Sequence, residues 1–185
     1  MGQVVRLVLS KYPVIIAVSP DLAEKITHFL KGDVISIPNG VDNLRFFPNV
    51  SEKQGIGFIG ALVNEKNPRD FVELIRELRK KGIVEPTYII GDGYLRKELE
   101  EISNGLNINY LGEIINTEKY LKKFKVVVST SKTEGFGLSI LEAMACGVPV
   151  VSLVSPCSKY LLGDLNLVVQ DKNQLAGLVA KIIIN

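Results

Sequence analysis

Short apolar runs alternate with helical patterns along almost all of the 185 residues, and this alternation constrains the fold more than any other feature. The runs are four to six residues long and mostly apolar on both faces, as in VVVST (126–130). Segments with helical spacing separate them: after Pro68, apolar residues recur at i, i+3, i+4 and i+7 from Phe71. Strands buried on both faces and joined by helices form parallel βαβ units. The sequence therefore predicts an α/β fold with a Rossmann-like, doubly wound parallel sheet.

The predicted elements fall into two groups. Strands are predicted at 14–19, 34–37, 55–60, 87–90, 109–112, 126–130, 148–153 and 165–169, and helices after Ser19, after Asn67, at 94–102, 117–123 and 138–145, and from Asn173. The polar, turn-rich segment 38–55 contains Pro38, Gly40 and Pro48 and is the best linker candidate. It leaves a single βαβ unit in front, too small for an independent domain. We therefore expect two parts, residues 1–48 and residues 49–185, the first resembling the end of another domain.

Composition excludes several classes of function. A formal net charge of +2 is too small to argue for nucleic-acid binding, and no apolar run approaches the roughly 20 residues of a membrane span. The opening MGQVVRLVLSKYPVIIAVS looks superficially like an export signal, but Lys11 and Pro13 interrupt it, so we expect it to be part of the fold. Cys146 and Cys157 lie outside any Cys-x-x-Cys spacing and are expected to be buried thiols, and with His28 as the single histidine no metal site is predicted.

Two glycine motifs have different contexts. Residues 55–60 match the G-x-G-x-x-G spacing of dinucleotide sites, but the apolar residues between these glycines are themselves the predicted strand. The next helix starts only near Pro68, so the spacing does not place glycines at a helix N-terminus and argues against a nicotinamide site. Gly91-Asp92-Gly93 lies directly between a predicted strand and a predicted helix, where a ligand can approach the backbone closely. A plain strand-to-helix turn explains the same residues equally well.

The stretch TEGFGLSILEAMACG (133–147) contains the strongest motif. Its loop follows the strand at 126–130, at the edge of the sheet where open α/β folds bind ligands, and free N–H groups around Phe136 to Ser139 open the next helix. These groups form an anion site suited to a diphosphate. Glu142, about one turn into the helix, can accept hydrogen bonds from vicinal hydroxyls such as those of a ribose, and Glu134 can do the same for a sugar. The alternative is that both glutamates are solvated surface charges.

Taken together, these residues resemble the donor-nucleotide half of retaining glycosyltransferases with the GT-B fold, most closely family GT4. The motifs that carry the resemblance are IPNGVD (37–42), FIGALVNEK (58–66), GDG (91–93), YLGEI (110–114) and EGFGLSILEAMACGVPVV (134–151). The last resembles the family's glutamate-x7-glutamate signature and is the most specific. The resemblance implies metal-independent transfer of a sugar from a nucleotide diphosphate sugar, with anomeric retention and no cofactor. It also implies a cytoplasmic location, at the inner membrane face where the acceptor is lipid-linked.

By position, the resemblance assigns roles to individual residues. The residues it assigns to the nucleotide sugar are Gly60, Gly91, Asp92, Gly93, Gly112, Phe136, Gly137, Leu138, Ser139 and Glu142, and the catalytic assignments are Lys66 and Glu134. Lys66 and the amides of 137–139 would hold the diphosphate, Glu142 the ribose, and Glu134 the donor sugar. This sequence departs from the family pattern in two respects. Ala61 stands where the family commonly has an arginine, and most of the acceptor domain has no counterpart in this chain. Loss of such a charge can remove a few kcal/mol of transition-state stabilisation.

Three hypotheses follow. The first is a glycosyltransferase donor domain whose acceptor, a sugar or a lipid-linked sugar, is bound by a missing or partner domain, so that the chain alone is inactive. The second is a module that binds a nucleotide or nucleotide sugar without transfer, which Ala61 and the missing half favour. The third, another GT-B chemistry such as sugar-nucleotide epimerisation, is disfavoured by the hinge and by the complete glutamate signature.

Overall fold

The structure, a computed structural model, describes residues 7–30, 32–49, 52–165 and 167–184. The chain divides into two compact units, Met1–Gly40 and Val41–Asn185. The second unit includes segment 41–48, which the sequence interpretation groups with the hinge. The expectation that the opening stretch is part of the fold lies, for residues 1–6, outside the described residues.

The first unit is one βαβ motif. Strand β1 (Val14–Ala17) pairs in parallel with β2 (Asp33–Ser36), and helix α1 (Pro20–Thr27) connects them. The Ser19 hydroxyl accepts a hydrogen bond from the Leu22 amide at 3.3 Å, so Ser19 caps the helix as its position before Pro20 predicts. A small apolar cluster of Ala17, Ile26 and Leu30 holds the motif together.

Among the described residues, the second unit contains a six-stranded sheet of order β5-β4-β3-β6-β7-β8, in which every strand pair is parallel. Its strands are β3 (Ile56–Ile59), β4 (Thr87–Ile90), β5 (Ile108–Gly112), β6 (Val126–Ser129), β7 (Val150–Leu153) and β8 (Val168–Val169). Its helices are α2 (Pro68–Lys80), α3 (Arg96–Ile102), α4 (Glu118–Leu121), α5 (Leu138–Ala145), α6 (Pro156–Leu162) and α7 (Lys172–Ile184). The parallel α/β sheet predicted from the alternating pattern is confirmed.

Both faces of this sheet are covered, which makes it doubly wound. One core contains the apolar residues of α2, α3 and α7, and the other contains those of α4, α5 and α6. Along β6, Val126 and Val128 point into the first core whereas Val127 points into the second. The apolar runs on both faces of each strand are thus explained by two helical layers.

The last part of the second unit differs from the predicted elements. Helix α6 was not predicted, although Ser155 and Ser158 form a reciprocal capping box in front of it and Pro156 occupies its first turn. β8 is shorter than the predicted strand because a 3₁₀ turn, Gly163–Leu165, replaces its beginning. A capped seven-residue helix carries too little apolar periodicity to be seen in the sequence.

The glycines at 55–60 serve packing in the sheet. β3 occupies the middle of the G-x-G-x-x-G spacing and the next helix begins at Pro68, in agreement with the sequence interpretation. A side chain on Gly57 would collide with the Phe124 ring, which lies directly over this residue. Gly57 is therefore explained by the close approach of an aromatic ring to the strand. In the described part of the chain, no helix is long and apolar enough to cross a membrane.

Candidate functional site

The candidate site lies at the carboxyl ends of the two central strands. From β3 the chain proceeds to β4 and β5 on one side, and then crosses to β6, β7 and β8 on the other. The order of the strands therefore reverses between β3 and β6, and the loops that follow these two strands diverge there. In open α/β sheets the crevice at such a switch point is where ligands bind.

Lys66 and Glu134, from the loops after β3 and β6, meet across this crevice. The Lys66 Nζ lies 2.5 Å from the Glu134 Oε1, and the Ser131 hydroxyl donates to the same oxygen at 2.9 Å. The Glu134 side chain is only 8% exposed and that of Lys66 is 26% exposed. The two predicted catalytic residues, 68 positions apart, thus form one ion pair. Ser131, which the sequence interpretation missed, holds the carboxylate from a second side.

The buried Thr130 hydroxyl, directly after β6, forms hydrogen bonds with the loop after β3. It lies 2.8 Å from the carbonyl oxygen of Asn67 and 3.1 Å from that of Lys66. The Lys132 amide donates to the Glu65 carbonyl at 2.9 Å, which adds a backbone link. The position of the Lys66–Glu134 pair is therefore fixed by the backbone on both sides of the crevice.

Helix α5 begins at the same crevice. Gly137 precedes it in the left-handed conformation, with φ of 86°, and in the described structure no side chain caps this end. The amides of Leu138 and Ser139 lie in the first turn, where no carbonyl four residues earlier can accept from them. These N–H groups, together with the positive end of the helix dipole, provide an anion site without a competing side-chain cap.

Two residues of α6, Cys157 and Tyr160, pack against the loop that precedes α5. The Cys157 thiol donates to the Phe136 carbonyl, and a side chain on Gly137 would lie 2.5 Å from the Cys157 sulfur. Burial raises the pKa of Cys157 to about 11, so the residue is a neutral packing group at physiological pH. The Phe136 side chain is buried and meets the Tyr160 ring edge-on at 6.2 Å between centroids. Both cysteines are buried and free, as expected.

Glycines form the opposite wall of the crevice. Gly91, with φ of 130°, donates its amide to the Gly112 carbonyl at 2.7 Å. A Cβ on Gly91 would overlap the carbonyl oxygen of Gly60, and one on Gly93 would lie 2.5 Å from that of Leu62. The loops after β3, β4 and β5 therefore pack backbone against backbone, which leaves the GDG turn no room for side chains at its glycines.

Asp92, between these glycines, is occupied by local contacts. Its Oδ1 accepts from the Gly93 amide at 2.7 Å, and its Oδ2 lies 2.9 Å from Arg96. The Gly93 amide, followed by Arg96, holds the pKa of Asp92 below its usual range, and the carboxylate is ionised at neutral pH. Arg96, which the sequence interpretation missed, also reaches Gly112, where an added Cβ would lie 3.4 Å from its guanidinium.

Glu142 differs from Glu134 in its partners. It is half-buried on α5, and within the described residues it forms no ion pair. Burial raises the pKa of its carboxyl, the Arg45 guanidinium lowers it, and the Glu118 carboxylate raises it. A half-buried carboxylate without its own counter-ion is available to accept hydrogen bonds from a ligand.

Ala61, which stands where an arginine was expected from the resemblance, is exposed in the loop after β3. Among the residues that the resemblance assigns to this site, Lys66 is therefore the one with a positively charged side chain. Among the described residues, no group of three or more histidine, cysteine, aspartate or glutamate side chains could hold a metal ion.

Comparisons with known proteins agree with the fold. The model of the family described as Glycosyl transferases group 1 matches residues 53–185. An uncharacterized glycosyltransferase of Methanocaldococcus jannaschii is 29% identical over 175 residues, which cover 91% of this chain and 48% of the relative. The Campylobacter jejuni GalNAc-alpha-(1->4)-GalNAc-alpha-(1->3)-diNAcBac-PP-undecaprenol alpha-1,4-N-acetyl-D-galactosaminyltransferase is 31% identical over 130 residues, which cover 69% of this chain and 35% of that enzyme.

Among solved structures, a variant of Staphylococcus aureus TarM in complex with fondaparinux, alpha-GlcNAc-glycerol and UDP superposes with a TM-score of 0.87 at 22% identity. The match covers 100% of this chain and 40% of TarM, and at this identity it shows the shared fold. The chain spans about half, or less, of the length of the curated relatives it matches.

Proposed function

This chain belongs to the glycosyl transferases group 1 family, and on that premise we propose that it is the donor-binding half of a retaining GT-B glycosyltransferase of family GT4. It binds a nucleotide diphosphate sugar and presents the sugar to an acceptor. The acceptor, a sugar or a lipid-linked sugar, is held by a further domain or a partner subunit. The proposed location is the cytoplasm, at the inner membrane face for a lipid-linked acceptor.

One observation carries this proposal: at the switch point, the loops after the two central strands contain Lys66 and the uncapped start of α5, and Glu142, which forms no ion pair among the described residues, follows about one turn into that helix. The amides of Leu138 and Ser139 supply positive potential where a diphosphate would lie, and the Lys66 Nζ, held at the crevice by Glu134, can donate to the same anion. Glu142 lies four residues after the start of α5, about 6 Å along the helix axis at about 1.5 Å per residue. An anion flanked by hydroxyls, as in a nucleoside diphosphate, matches this order of charges.

The proposed chemistry is the departure of a nucleoside diphosphate from the anomeric carbon of the sugar. Negative charge grows on the leaving diphosphate, and Lys66 and the α5 amides are placed to stabilise it. Glu134, paired with Lys66 and Ser131, restrains the Nζ at the crevice and offers a carboxylate to the sugar hydroxyls. We propose that transfer requires neither a metal ion nor a resident cofactor, since the assigned charges come from this chain's own groups.

Calorimetric titration tests the donor site directly. UDP, GDP, ADP and their sugar conjugates are titrated into the wild-type chain, into Glu142→Ala, and into Glu77→Ala as a control. Glu77 is a helical glutamate on α2, about half exposed and paired with Lys80. We expect weak binding of at least one nucleoside diphosphate by wild type and by Glu77→Ala, and no sugar transfer by the chain alone.

For Glu142→Ala, we expect binding at least about tenfold weaker, because a hydrogen bond to a charged group contributes about 1.5–3 kcal/mol. If no nucleotide binds, or if Glu142→Ala binds as tightly as wild type, the proposed donor site is wrong.

A second candidate is a module that binds the nucleotide sugar and does not transfer it. The exposed Ala61 favours this candidate, because a methyl group there cannot neutralise a leaving diphosphate. The coding sequence immediately upstream of Met1 discriminates between the two. An acceptor-binding domain, continuous or as a neighbouring gene, supports the enzyme, and its absence supports the binding module.

A further inference from the structure

Ser131 lies outside the residues that the family resemblance assigns, and hydrogen bonds on both sides of it fix its position. The hydroxyl of Thr130, which precedes it, donates to the Lys66 carbonyl at 3.1 Å. The amide of Lys132, which follows it, donates to the Glu65 carbonyl at 2.9 Å. Ser131 itself is only 4% exposed. The position of its hydroxyl therefore depends on the loop backbone and not on the Lys66 side chain.

Both donors to the Glu134 carboxylate meet at one oxygen atom. The Ser131 hydroxyl donates to Oε1 at 2.9 Å, and the Lys66 Nζ lies 2.5 Å from the same atom. Within the described chain, the other oxygen, Oε2, accepts no hydrogen bond. The Glu134 side chain is only 8% exposed, so water is a poor substitute for a lost partner. The charge of Glu134 is therefore compensated chiefly by these two donors.

The two donors differ in their freedom to leave Glu134. Ser131 lies three residues away in the same loop, whereas Lys66 comes from the loop after β3 on a flexible four-carbon side chain. A diphosphate at the uncapped start of α5 competes with Glu134 for the Lys66 ammonium. Two donors at one oxygen weaken each other's hydrogen bonds, because their positive ends repel at short range. The bond from Ser131 therefore strengthens when Lys66 leaves.

We propose that Ser131 is a positioning residue for diphosphate binding, which keeps the Glu134 carboxylate hydrogen-bonded while Lys66 turns to the ligand. This inference rests on the proposed donor site and adds a residue that acts through Glu134. Without the hydroxyl, departure of Lys66 leaves a nearly buried carboxylate without a partner, which is costly. Glu134 then retains Lys66, and the diphosphate binds more weakly.

The proposal gives Ser131 and Glu134 opposite effects on binding. Loss of the Ser131 hydroxyl strengthens the hold of Glu134 on Lys66, whereas neutralisation of Glu134 releases Lys66 to the ligand. Once Glu134 is neutral, Ser131 has little left to contribute. A hydroxyl that only supports the packing of the loop would instead act equally with and without the Glu134 charge.

A double-mutant cycle on the full chain, followed by calorimetry, measures this dependence. The ligand is whichever of UDP, GDP and ADP wild type binds most tightly, and the variants are Ser131→Ala, Glu134→Gln and their combination. We expect Ser131→Ala to weaken binding about fivefold, which is about 1 kcal/mol at about 1.4 kcal/mol per factor of ten and the usual net contribution of one hydrogen bond. Glu134→Gln is expected to tighten binding severalfold. In the Glu134→Gln background, Ser131→Ala is expected to change affinity by less than about twofold, the scatter of independent sites.

Ser103→Ala is the matched control. Ser103 is also buried, at 6% exposure, and its hydroxyl lies 2.9 Å from the Tyr110 hydroxyl. It directly follows α3, where the chain returns to the amino end of β5, so it lies at the edge of the sheet opposite the crevice. We expect it to leave nucleotide affinity unchanged. Circular dichroism verifies that each variant is folded, and Ser131→Cys, which has a similar volume and a weaker donor, replaces Ser131→Ala if the latter does not fold.

The outcomes separate this inference from the donor site on which it rests. If wild type binds none of UDP, GDP and ADP, the proposed donor site itself is wrong. If wild type binds one of them, three results overturn the role of Ser131 alone. These are unchanged affinity in Ser131→Ala, an equal loss with and without Glu134→Gln, and weaker binding in Glu134→Gln.

Discussion

The glycine wall of the crevice makes a strong quantitative prediction, because Gly91 has neither the backbone freedom nor the space for a side chain. Its φ is 130°, a conformation that L residues rarely adopt, and a Cβ there would overlap the Gly60 carbonyl oxygen. Gly91→Ala must therefore push β3 and β4 apart at their carboxyl ends, where the Gly91 amide also donates to Gly112.

Gly82→Ala provides the matched control. Gly82 has φ of 76° at the end of α2, and a Cβ there would meet no atom within 4 Å. The strained backbone costs about 1–3 kcal/mol, and the smaller entropy of the unfolded alanine variant offsets about 0.4–1 kcal/mol of it. We expect Gly82→Ala to lower the free energy of unfolding by roughly 1 kcal/mol.

Gly91→Ala carries at least as much backbone strain, because a φ of 130° lies further than 76° from the left-handed region that L residues occasionally adopt, and it adds the overlap and a weakened hydrogen bond. A backbone hydrogen bond contributes about 1 kcal/mol, and forcing a group into a packed region costs about 1–3 kcal/mol. We therefore expect a loss of roughly 3–5 kcal/mol, a large part of the about 5–15 kcal/mol that stabilises a typical domain.

Urea unfolding followed by far-ultraviolet circular dichroism measures both variants. The difference between them contains the contact with Gly60, the weakened hydrogen bond to Gly112 and the greater backbone strain at Gly91, since the unfolded-state terms are common to both. Equal losses in Gly91→Ala and Gly82→Ala would refute the close approach of the loops after β3 and β4. If Gly91→Ala still folds, nucleotide affinity is expected to fall as well, because the displaced wall borders the crevice.

Two further predictions concern the crevice. Ala61→Arg adds a cation beside the proposed diphosphate position, so we expect it to tighten UDP binding severalfold. Calorimetry should show a larger gain in affinity at low salt than at high salt. Unchanged affinity would place the diphosphate elsewhere. Burial raises the pKa of the Cys157 thiol to about 11, so we expect the thiol to resist iodoacetamide at pH 8 in the native chain and to react after denaturation. Mass spectrometry follows the alkylation. Rapid alkylation of the native chain would contradict the burial of Cys157 against loop 134–137.

The fold class was accessible from the sequence because it depends on local patterns. Residues 126–128 are apolar at every position, and only a sheet covered on both faces buries such a run completely. The start of α1 at Ser19-Pro20 was equally predictable from the sequence, because a capping serine and the fixed φ of proline stabilise the first turn of a helix without help from distant residues. Helix α6 was missed although Ser155-Pro156 offers the same start signal, because its seven residues carry too little apolar periodicity to indicate a helix.

For the site, the sequence determined which residue types stand at the carboxyl ends of β3, β4 and β6, and the resemblance assigned them roles. Only the tertiary structure decided their partners. Lys66 could have been solvated, and it is instead paired with Glu134; Arg45 carried no motif, yet it forms an ion pair with Glu118. Strand order sets such pairings, because crossing from β5 to β6 beside β3 brings distant loops together, and long-range packing of this kind leaves no periodic trace in the chain.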